Sequence, residues 1–246
     1  SVWPGNNVKG ESAVSGVYLL ISCENGHPVA VLDGTTLTLR RTAAAAALAA
    51  RKLARQDSTT LAVLGTGALS VPLVQAHLDV MPFQNVLVWG RQASKAQTVV
   101  AQLQQQGIAA SLATDIEQTL AQADVVAVAT TATEPFIRAG WIRPGTHVGL
   151  IGAFTAQMAE AEPSLMSLAK VFADSRDAVL EKGGEVFQAI QQGIITPAAI
   201  QADLAELATQ PESHVWRKAQ DITVYKSVGF ASLDLIAAEL VYNTTA

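Results

Sequence analysis

The 246-residue chain is predicted to be an α/β protein, a doubly wound parallel sheet of the Rossmann type with a smaller α+β domain built from both chain ends. Short strand-like runs alternate with amphipathic helical patterns along the middle of the chain, an order that favours a parallel sheet covered by helices. A glycine-rich turn, Gly65-Thr66-Gly67, lies between the first of these strands and its helix. The two ends of the chain depart from the alternation.

The elements begin with two paired strands, predicted at 17–20 and 29–32, and an alanine-rich helix, predicted at 41–55, whose small side chains permit close packing. The alternating region predicts strands at 61–65, 86–89, 108–113, 124–130, 147–152 and 170–174, and helices at 69–79, 94–106 and 115–122. Residues 176–209 are predicted to be helical, and an apolar run at 222–225 precedes a last helix at 231–242.

Two domains are predicted from this order. Residues 53–225 form the dinucleotide-binding domain, and residues 1–52 pack with residues 226–246 as the smaller domain. Because the chain enters a patterned segment directly at Ser1, we expect a further N-terminal segment in the complete protein.

The composition excludes several classes of protein. A chain that is 50% hydrophobic and 15% charged is not disordered, and a net charge of −5 gives no basic surface for nucleic acid or an anionic membrane. A single cysteine, Cys23, excludes a disulfide framework, and the four histidines lack the spacing of a metal site, so no metal is expected. The longest apolar run, 43–50, is too short to span a membrane, and we expect a cytoplasmic protein.

The sharpest motif is the turn Gly65-Thr66-Gly67-Ala68, which follows an apolar strand and opens a helix. The first glycine permits the tight turn, the second lets the backbone approach a pyrophosphate, and the helix N-terminus offers N–H groups to that anion. Two glycines also fit a purely structural turn, but the strand before and the helix after favour dinucleotide binding. The third small position of the motif is Ser70.

The end of the next strand indicates which dinucleotide is bound. NAD-selective folds place an acid there for the ribose 2′-hydroxyl, whereas strand 86–89 is followed by Gly-Arg-Gln. Arg91 can donate to a 2′-phosphate, and Ser94 and Lys95 can add donors, although an ordinary solvated helix start is the alternative. We expect NADPH in preference to NADH.

Two further positions carry weaker signals. Thr130, Thr131 and Ala132 follow a strand at the place where the nicotinamide half of a dinucleotide passes, although threonine is common after strands. Arg41 is predicted at the start of the alanine-rich helix, where its charge opposes the helix dipole, so an anion is expected nearby; a solvated arginine is the alternative.

Several segments, in order and over nearly the whole chain, resemble the ornithine cyclodeaminase/µ-crystallin family. They are Pro4-Gly5-Asn6, Asp33-Gly34 through Thr38, Arg41-Thr42-Ala43-Ala44, Gly65-Thr66-Gly67, Ala123-Asp124-Val125-Val126, Thr131 through Pro135, Trp141 with Pro144-Gly145, Gly152-Ala153, Asp174-Ser175 and Lys226-Ser227-Val228-Gly229. The resemblance implies NAD(P)(H) binding, a small amino or imino acid between the two domains, and a homodimer formed through the domain built from both chain ends. It also implies that Arg41 holds the substrate carboxylate, that Lys226 positions the cofactor, and that a lysine precedes the Pro-Gly-Asn loop in the expected N-terminal segment.

The chain departs from the cyclodeaminases of that family at Phe154, where those enzymes carry an aspartate after Gly-Ala. Phenylalanine cannot take a proton, and a cyclodeaminase needs several proton transfers. Reduction of a preformed cyclic imine demands less, since a protonated imine is already electrophilic and an aromatic wall suits its flat, charged ring. The alternative is that Phe154 points into the core and that an acid comes from elsewhere.

We therefore expect an oxidoreductase that uses NADPH to reduce Δ1-pyrroline-2-carboxylate to proline, or Δ1-piperideine-2-carboxylate to pipecolate. Arg41 and Phe154 are expected at this cyclic imino acid. The residues expected at the cofactor are Gly65, Thr66, Gly67, Ala68, Arg91, Ser94, Thr130, Thr131, Ala132 and Lys226. Two alternatives stay open: an ornithine cyclodeaminase or amino-acid dehydrogenase on the same fold, and a non-catalytic protein that binds NADPH and a small ligand.

Overall fold

The computed structural model describes Trp3, Asn6, residues 15–211 and residues 215–245. The strands are β1 (Val17–Ile21), β2 (Pro28–Asp33), β3 (Thr60–Leu64), β4 (Asn85–Trp89), β5 (Ala110–Ala113), β6 (Val125–Val128), β7 (His147–Leu150), β8 (Ala169–Ala173), β9 (Ile200–Asp203) and β10 (Ile222–Lys226). The helices are α1 (Gly34–Leu53), α2 (Ser70–Val80), α3 (Ala93–Gln105), α4 (Ile116–Gln122), α5 (Leu165–Leu168), α6 (Arg176–Lys182), α7 (Gly184–Gln191), α8 (Leu204–Thr209) and α9 (Ala231–Thr245).

Eight of these strands form one parallel sheet in the order β5-β4-β3-β6-β7-β10-β8-β9. The central strand β3 is buried on both faces, with Leu61 and Val63 in one hydrophobic cluster and Ala62 and Leu64 in another. The chain leaves β3 toward β4 on one side and returns to β6 on the other, which opens a crevice at the carboxyl edge between these strands. The predicted α/β class and doubly wound parallel sheet are confirmed.

The two chain ends pack together beside this sheet. Strands β1 and β2 form an antiparallel hairpin, and Leu20 of the hairpin shares a hydrophobic cluster with Leu37 of α1 and Ala238 of α9. The boundaries predicted for the two domains stay a prediction, and Pro4 and Gly5 lie outside the described residues.

Helix α1 begins earlier than predicted, at Gly34 and not near 41. The carboxylate of Asp33 accepts hydrogen bonds from the backbone N–H groups of Thr35 and Thr36, at 2.9 and 3.3 Å, and this cap starts the helix. Arg41 therefore lies in the third turn, so the argument that it opposes the dipole at a helix start was wrong.

The helical prediction for 176–209 was also wrong in part. Gly184 and Gly193 adopt positive φ angles of 48° and 68°, which interrupt the helical chain after α6 and after α7. Between α7 and α8 the chain forms β9, which adds an edge strand beside β8.

His77 and His147 are buried at the amino end of the sheet, away from the crevice. Burial lowers the pKa of His77 to about 4 and, with the nearby charge of His77 and Arg217, that of His147 to about 3. His214 lies outside the described residues. Within the described part of the chain, no helix has the length and apolarity that a membrane crossing needs.

Candidate active site

The carboxyl ends of four neighbouring strands bring most of the predicted site residues to one edge of the sheet. In sheet order these strands are β3, β6, β7 and β10, and they lead into residues 65–67, 130–132, 152–154 and 227–229. Because all four strands run parallel, their following loops line the same crevice. This edge is the candidate active site.

The glycine turn after β3 has the geometry of an anion cradle. Gly65 has a φ of 134°, and a Cβ there would lie 2.4 Å from the carbonyl oxygen of Ala129, so no larger residue fits. The buried Ser70 donates a hydrogen bond from Oγ to the carbonyl oxygen of Gly65 at 3.0 Å, which ties the first turn of α2 to the loop. A Cβ added at Gly67 would meet nothing within 4 Å, so this backbone faces open space at a helix N-terminus.

A cavity of about 300 Å³ lies beside this turn and is lined by Thr66, Gly67 and Ala68 together with Lys95 and its helix α3. The open backbone at Gly67, the helix N-terminus and the lysine suit the pyrophosphate of a dinucleotide. Arg91 and Ser94 are exposed at the start of α3 but do not line this cavity. Helix α3 has no acid in its first turn and no side-chain cap, so this end also suits a phosphate.

The loop after β6 is held by a residue that the sequence analysis missed. Glu160 accepts hydrogen bonds at Oε1 from the backbone N–H of Thr130 (2.7 Å) and from its hydroxyl (2.9 Å), and at Oε2 from the backbone N–H of Gly152 (2.8 Å). Thr130 Oγ1 also accepts a hydrogen bond from the N–H of Ala132 at 3.3 Å, so this hydroxyl both donates to and accepts from groups of the protein itself. Thr131 is exposed beside it.

These contacts explain why two predicted strands were too long. The predictions extended to 130 and 152, whereas β6 ends at Val128 and β7 ends at Leu150. The backbone N–H groups of Thr130 and Gly152 bind the Glu160 carboxylate and not a neighbouring strand.

Lys226 is fully buried at the end of β10, and its ammonium lies 2.8 Å from Glu185 Oε2. The other oxygen of Glu185 accepts a hydrogen bond from the backbone N–H of Glu160. Among the residues that the structure describes, Lys226 is linked to the loops of the crevice through Glu185 and Glu160, both fully buried. One signal in the sequence could have indicated that these two acids are buried, since each stands between small or apolar neighbours, in Ala-Glu-Ala and Gly-Glu-Val, but it does not indicate their partners.

Phe154 lies in the loop after β7 and is half-buried. It belongs to none of the four hydrophobic clusters formed by the described residues, which disfavours a role in the core. The loop is held by Gln188 of α7, whose Nε2 donates hydrogen bonds to the carbonyl oxygens of Ala156 and Met158 at 3.0 and 3.1 Å.

Arg41 reaches this edge from α1. Its Nε donates to Asp234 Oδ1 of α9 at 2.9 Å, and this is its one hydrogen bond to the residues that the structure describes. The two terminal nitrogens of its guanidinium lie 3.2 and 3.3 Å from the place that a Cβ on Gly229 would occupy. Neither terminal nitrogen is hydrogen-bonded to a residue that the structure describes, so both can bind a carboxylate, which arginine holds with two parallel hydrogen bonds.

Asp174, directly after β8, fixes the loop after β10, whose Gly229 lies beside the guanidinium of Arg41. Its Oδ2 accepts from Ser227 Oγ at 2.8 Å and from the backbone N–H groups of Val228 and Gly229 at 2.9 and 2.6 Å. Three donors on one buried oxygen fix the backbone of this loop against the guanidinium.

Comparison with known proteins gives consistent matches along the chain. A family model described as the ornithine cyclodeaminase/mu-crystallin family matches residues 1–246. The Δ1-pyrroline-2-carboxylate reductase of Paracoccus denitrificans is 39% identical over 249 residues, which cover 100% of this chain and 78% of that protein. The solved structure of the Thermococcus litoralis Δ1-pyrroline-2-carboxylate reductase in complex with NADH and L-proline is similar with a TM-score of 0.92 and 31% identity, covering 98% of this chain and 75% of that one. An archaeal alanine dehydrogenase dimer with bound NAD has a TM-score of 0.90 and 29% identity, covering 98% and 74%.

Proposed function

The chain belongs to the ornithine cyclodeaminase/mu-crystallin family, and we propose that it reduces a cyclic ketimine carboxylate with NADPH. The substrate we propose is Δ1-pyrroline-2-carboxylate, which gives proline; Δ1-piperideine-2-carboxylate, which gives pipecolate, is the second candidate. The chain is an enzyme, an oxidoreductase that acts on C=N or CH–NH bonds.

The observation that carries this proposal is Phe154. It is a half-buried aromatic residue outside the hydrophobic clusters of the described chain, on the loop after β7 and next to the loop after β10. An aromatic ring at this place favours a flat iminium ring and cannot serve the proton transfers of ammonia release. Reduction of a preformed imine fits this residue better than cyclodeamination does.

The other site residues form two groups, one that binds the substrate and one that binds the cofactor. Arg41 donates two hydrogen bonds from its terminal guanidinium nitrogens to the substrate carboxylate and so turns the C=N carbon toward the loops after β3 and β6. The backbone of Gly65 and Gly67 and the N-terminus of α2 hold the pyrophosphate, and residues 130–132 border the nicotinamide end. When bound, the reduced nicotinamide would supply the hydride to the carbon of the protonated imine, and the product is the neutral cyclic amine.

The preference for NADPH rests on charge at the start of α3. Arg91, Ser94 and Lys95 are exposed there, and no acid stands ready for a ribose 2′-hydroxyl. The related Thermococcus enzyme was solved with NADH, so the two cofactors need a direct comparison.

The proposed reaction is tested by following nicotinamide oxidation at 340 nm with Δ1-pyrroline-2-carboxylate, using NADPH and NADH in parallel. We expect turnover with both and a higher kcat/KM with NADPH. Equal or better turnover with NADH would keep the reaction and overturn the cofactor preference. Cofactor binding without turnover on either ring size would overturn the reductase proposal and favour a non-catalytic binding role.

An amino-acid dehydrogenase is the second candidate function, because the archaeal alanine dehydrogenase is nearly as similar in structure as the reductase. Oxidation of L-alanine with NAD⁺ or NADP⁺ tests it. Release of ammonia from L-ornithine would instead revive the cyclodeaminase, against the argument from Phe154.

We also propose that the chain forms a homodimer through the hairpin of β1 and β2. Side chains alternate along a strand, and the outer face of this hairpin carries exposed apolar residues, among them the cross-strand partners Leu19 (49% exposed) and Val31 (69% exposed). An apolar face of this kind is typical of a protein interface. The cytoplasmic location stays a prediction from composition.

Light scattering after size exclusion should give twice the mass of the subunit for the wild-type protein. The double variant Leu19→Lys/Val31→Lys should elute as a monomer, because two charges would be buried without partners in the interface. Val215→Lys, at a residue that is 77% exposed elsewhere on the surface, is the control and should stay dimeric. A dimeric double variant would contradict the proposed interface.

A further inference from the structure

One buried carboxylate, that of Glu160, joins the two loops that border the proposed reaction. Oε1 binds the backbone N–H and the hydroxyl of Thr130 in the loop after β6, and Oε2 binds the backbone N–H of Gly152 in the loop after β7. Glu160 itself is fully buried. It touches neither the cavity beside Gly67 nor the guanidinium of Arg41, so the mechanism above does not use it.

The two loops approach each other as closely as their backbones allow. A Cβ added at Gly152 would lie 2.1 Å from the carbonyl oxygen of Thr130 and 2.3 Å from Glu160 Oε1. The carboxylate therefore fills the narrow space between the loops, and their separation depends on its two oxygens. Residues 130–132 border the nicotinamide end, and Phe154 follows Gly152 by two residues.

The charged groups of the described chain that face Glu160 come from two other elements. Glu185 of α7 accepts a hydrogen bond from the backbone N–H of Glu160, and Lys226 of β10 pairs with Glu185 at 2.8 Å. Burial and the neighbouring Glu185 raise the pKa of Glu160 to about 7, against the opposing effect of Lys226. Glu160 therefore changes its protonation in the range in which an enzyme of this kind is assayed.

We propose that Glu160 is a positioning residue whose ionised carboxylate sets the distance between the nicotinamide-side loop 130–132 and the substrate-side loop 152–154. The proposal rests on the function proposed above and adds a residue to it. The ionised form is favoured because both oxygens accept from N–H or O–H donors, and a proton on the carboxyl group makes it a weaker acceptor for these bonds. Protonation therefore loosens the contact between the loops, and hydride transfer loses its alignment.

Glu160→Gln tests the proposal, because the amide keeps the size of the side chain but turns an NH2 group toward Thr130 or Gly152. We expect kcat for imine reduction to fall by about 100-fold, the effect of misplacing reactants by about 1 Å, while the KM for the imine changes little. The wild-type kcat should fall as the pH drops below about 7, and this acid limb should be absent from the variant. An unchanged kcat, or an acid limb that persists in the variant, would overturn the proposal.

Glu162→Gln is the matched control. Glu162 lies two residues further on, and its Oε2 also accepts a backbone N–H, that of Ala139 at 3.0 Å, but outside the crevice. This variant should keep the wild-type kcat and acid limb. An equal loss in both variants would show a general packing effect and overturn a positioning role for Glu160.

Thr130→Val keeps the test independent of the folding of Glu160→Gln. It removes one hydrogen bond that favours the ionised carboxylate, so the acid limb of kcat should move to higher pH. A limb that stays in place would count against Glu160 as its source.

Hydrogen–deuterium exchange tests the positioning role of Glu160 independently of the proposed reaction. In Glu160→Gln the amides of 129–133 and 150–154 should exchange faster than in wild type, and in Glu162→Gln they should not. If wild type reduces no imine but the exchange result holds, the proposed function fails and the link between the loops stands. If exchange is unchanged, the positioning role fails whatever the substrate.

Discussion

Replacement of Arg41 by alanine is expected to lower kcat/KM for the imine by about 100-fold, mostly through a higher KM. The estimate corresponds to about 3 kcal/mol, the sum for two hydrogen bonds between charged groups. The geometry supports two bonds, because Nε is held by Asp234 while both terminal nitrogens are free of partners among the described residues. Arg41→Lys keeps the charge without the fork and should show an intermediate loss.

Arg40→Ala provides the matched control for this measurement. Arg40 precedes Arg41 on α1 but is exposed and donates to Gln75 Oε1 at 3.0 Å, away from the crevice. Its replacement should leave kcat/KM unchanged. The affinity for NADPH, measured by fluorescence titration, should be the same in wild type and both Arg41 variants. An unchanged KM for the imine in Arg41→Ala would remove this residue from the substrate site.

The parts of the fold that could be predicted from sequence are those with a local signal. Strand β3, the Gly65 turn and helix α2 follow one another within 21 residues, and the apolar run, the glycines and the helical pattern each have one simple interpretation. Strand β9 was missed because its four residues, Ile-Gln-Ala-Asp, carry too little apolar pattern to separate a strand from the helices around it.

Arg41 shows how a residue can be chosen for a reason that fails. The argument from the helix dipole was wrong because Asp33 starts α1 seven residues before Arg41 is reached. The residue stayed a candidate through the resemblance to the family. Its free guanidinium nitrogens beside Gly229 now support the same role on geometric grounds.

The network around Glu160 lay beyond local reasoning. Its partner Thr130 is 30 residues away in sequence, and Lys226 is 41 residues from Glu185. Only the order of the strands brings these segments together, and no period or motif in one sequence fixes that order. The lysine that the resemblance assigns to cofactor positioning is a buried partner of an acid, and this changes what its replacement should do.

Lys226→Met is expected to lower the free energy of unfolding by about 3–5 kcal/mol, the usual cost of removing one partner from a buried ion pair. The variant leaves Glu185 without its cation in a site with no exposed surface, beside the second buried acid Glu160. Urea denaturation at pH 7 measures the loss. The half-buried Lys170, paired with Asp221 at 3.1 Å, is the control, and Lys170→Met should cost less than about 1 kcal/mol.

A second replacement and the pH dependence test whether the unpaired buried charge causes the lower free energy of unfolding of Lys226→Met. Lys226→Met/Glu185→Gln should recover most of the lost stability, because the acid that paired with Lys226 no longer carries a charge and the amide oxygen still accepts from the backbone N–H of Glu160. Glu160 has a raised pKa in the folded state, and loss of Lys226 raises it further, so the folded protein holds its proton more tightly than the unfolded chain. The deficit of Lys226→Met should therefore be smallest well below pH 7, where Glu160 is protonated in both proteins, and it should grow as the pH rises through about 7 and above. A deficit that does not change with pH would point to lost packing, and a stable variant with a raised KM for NADPH would make Lys226 a direct cofactor ligand, against its complete burial.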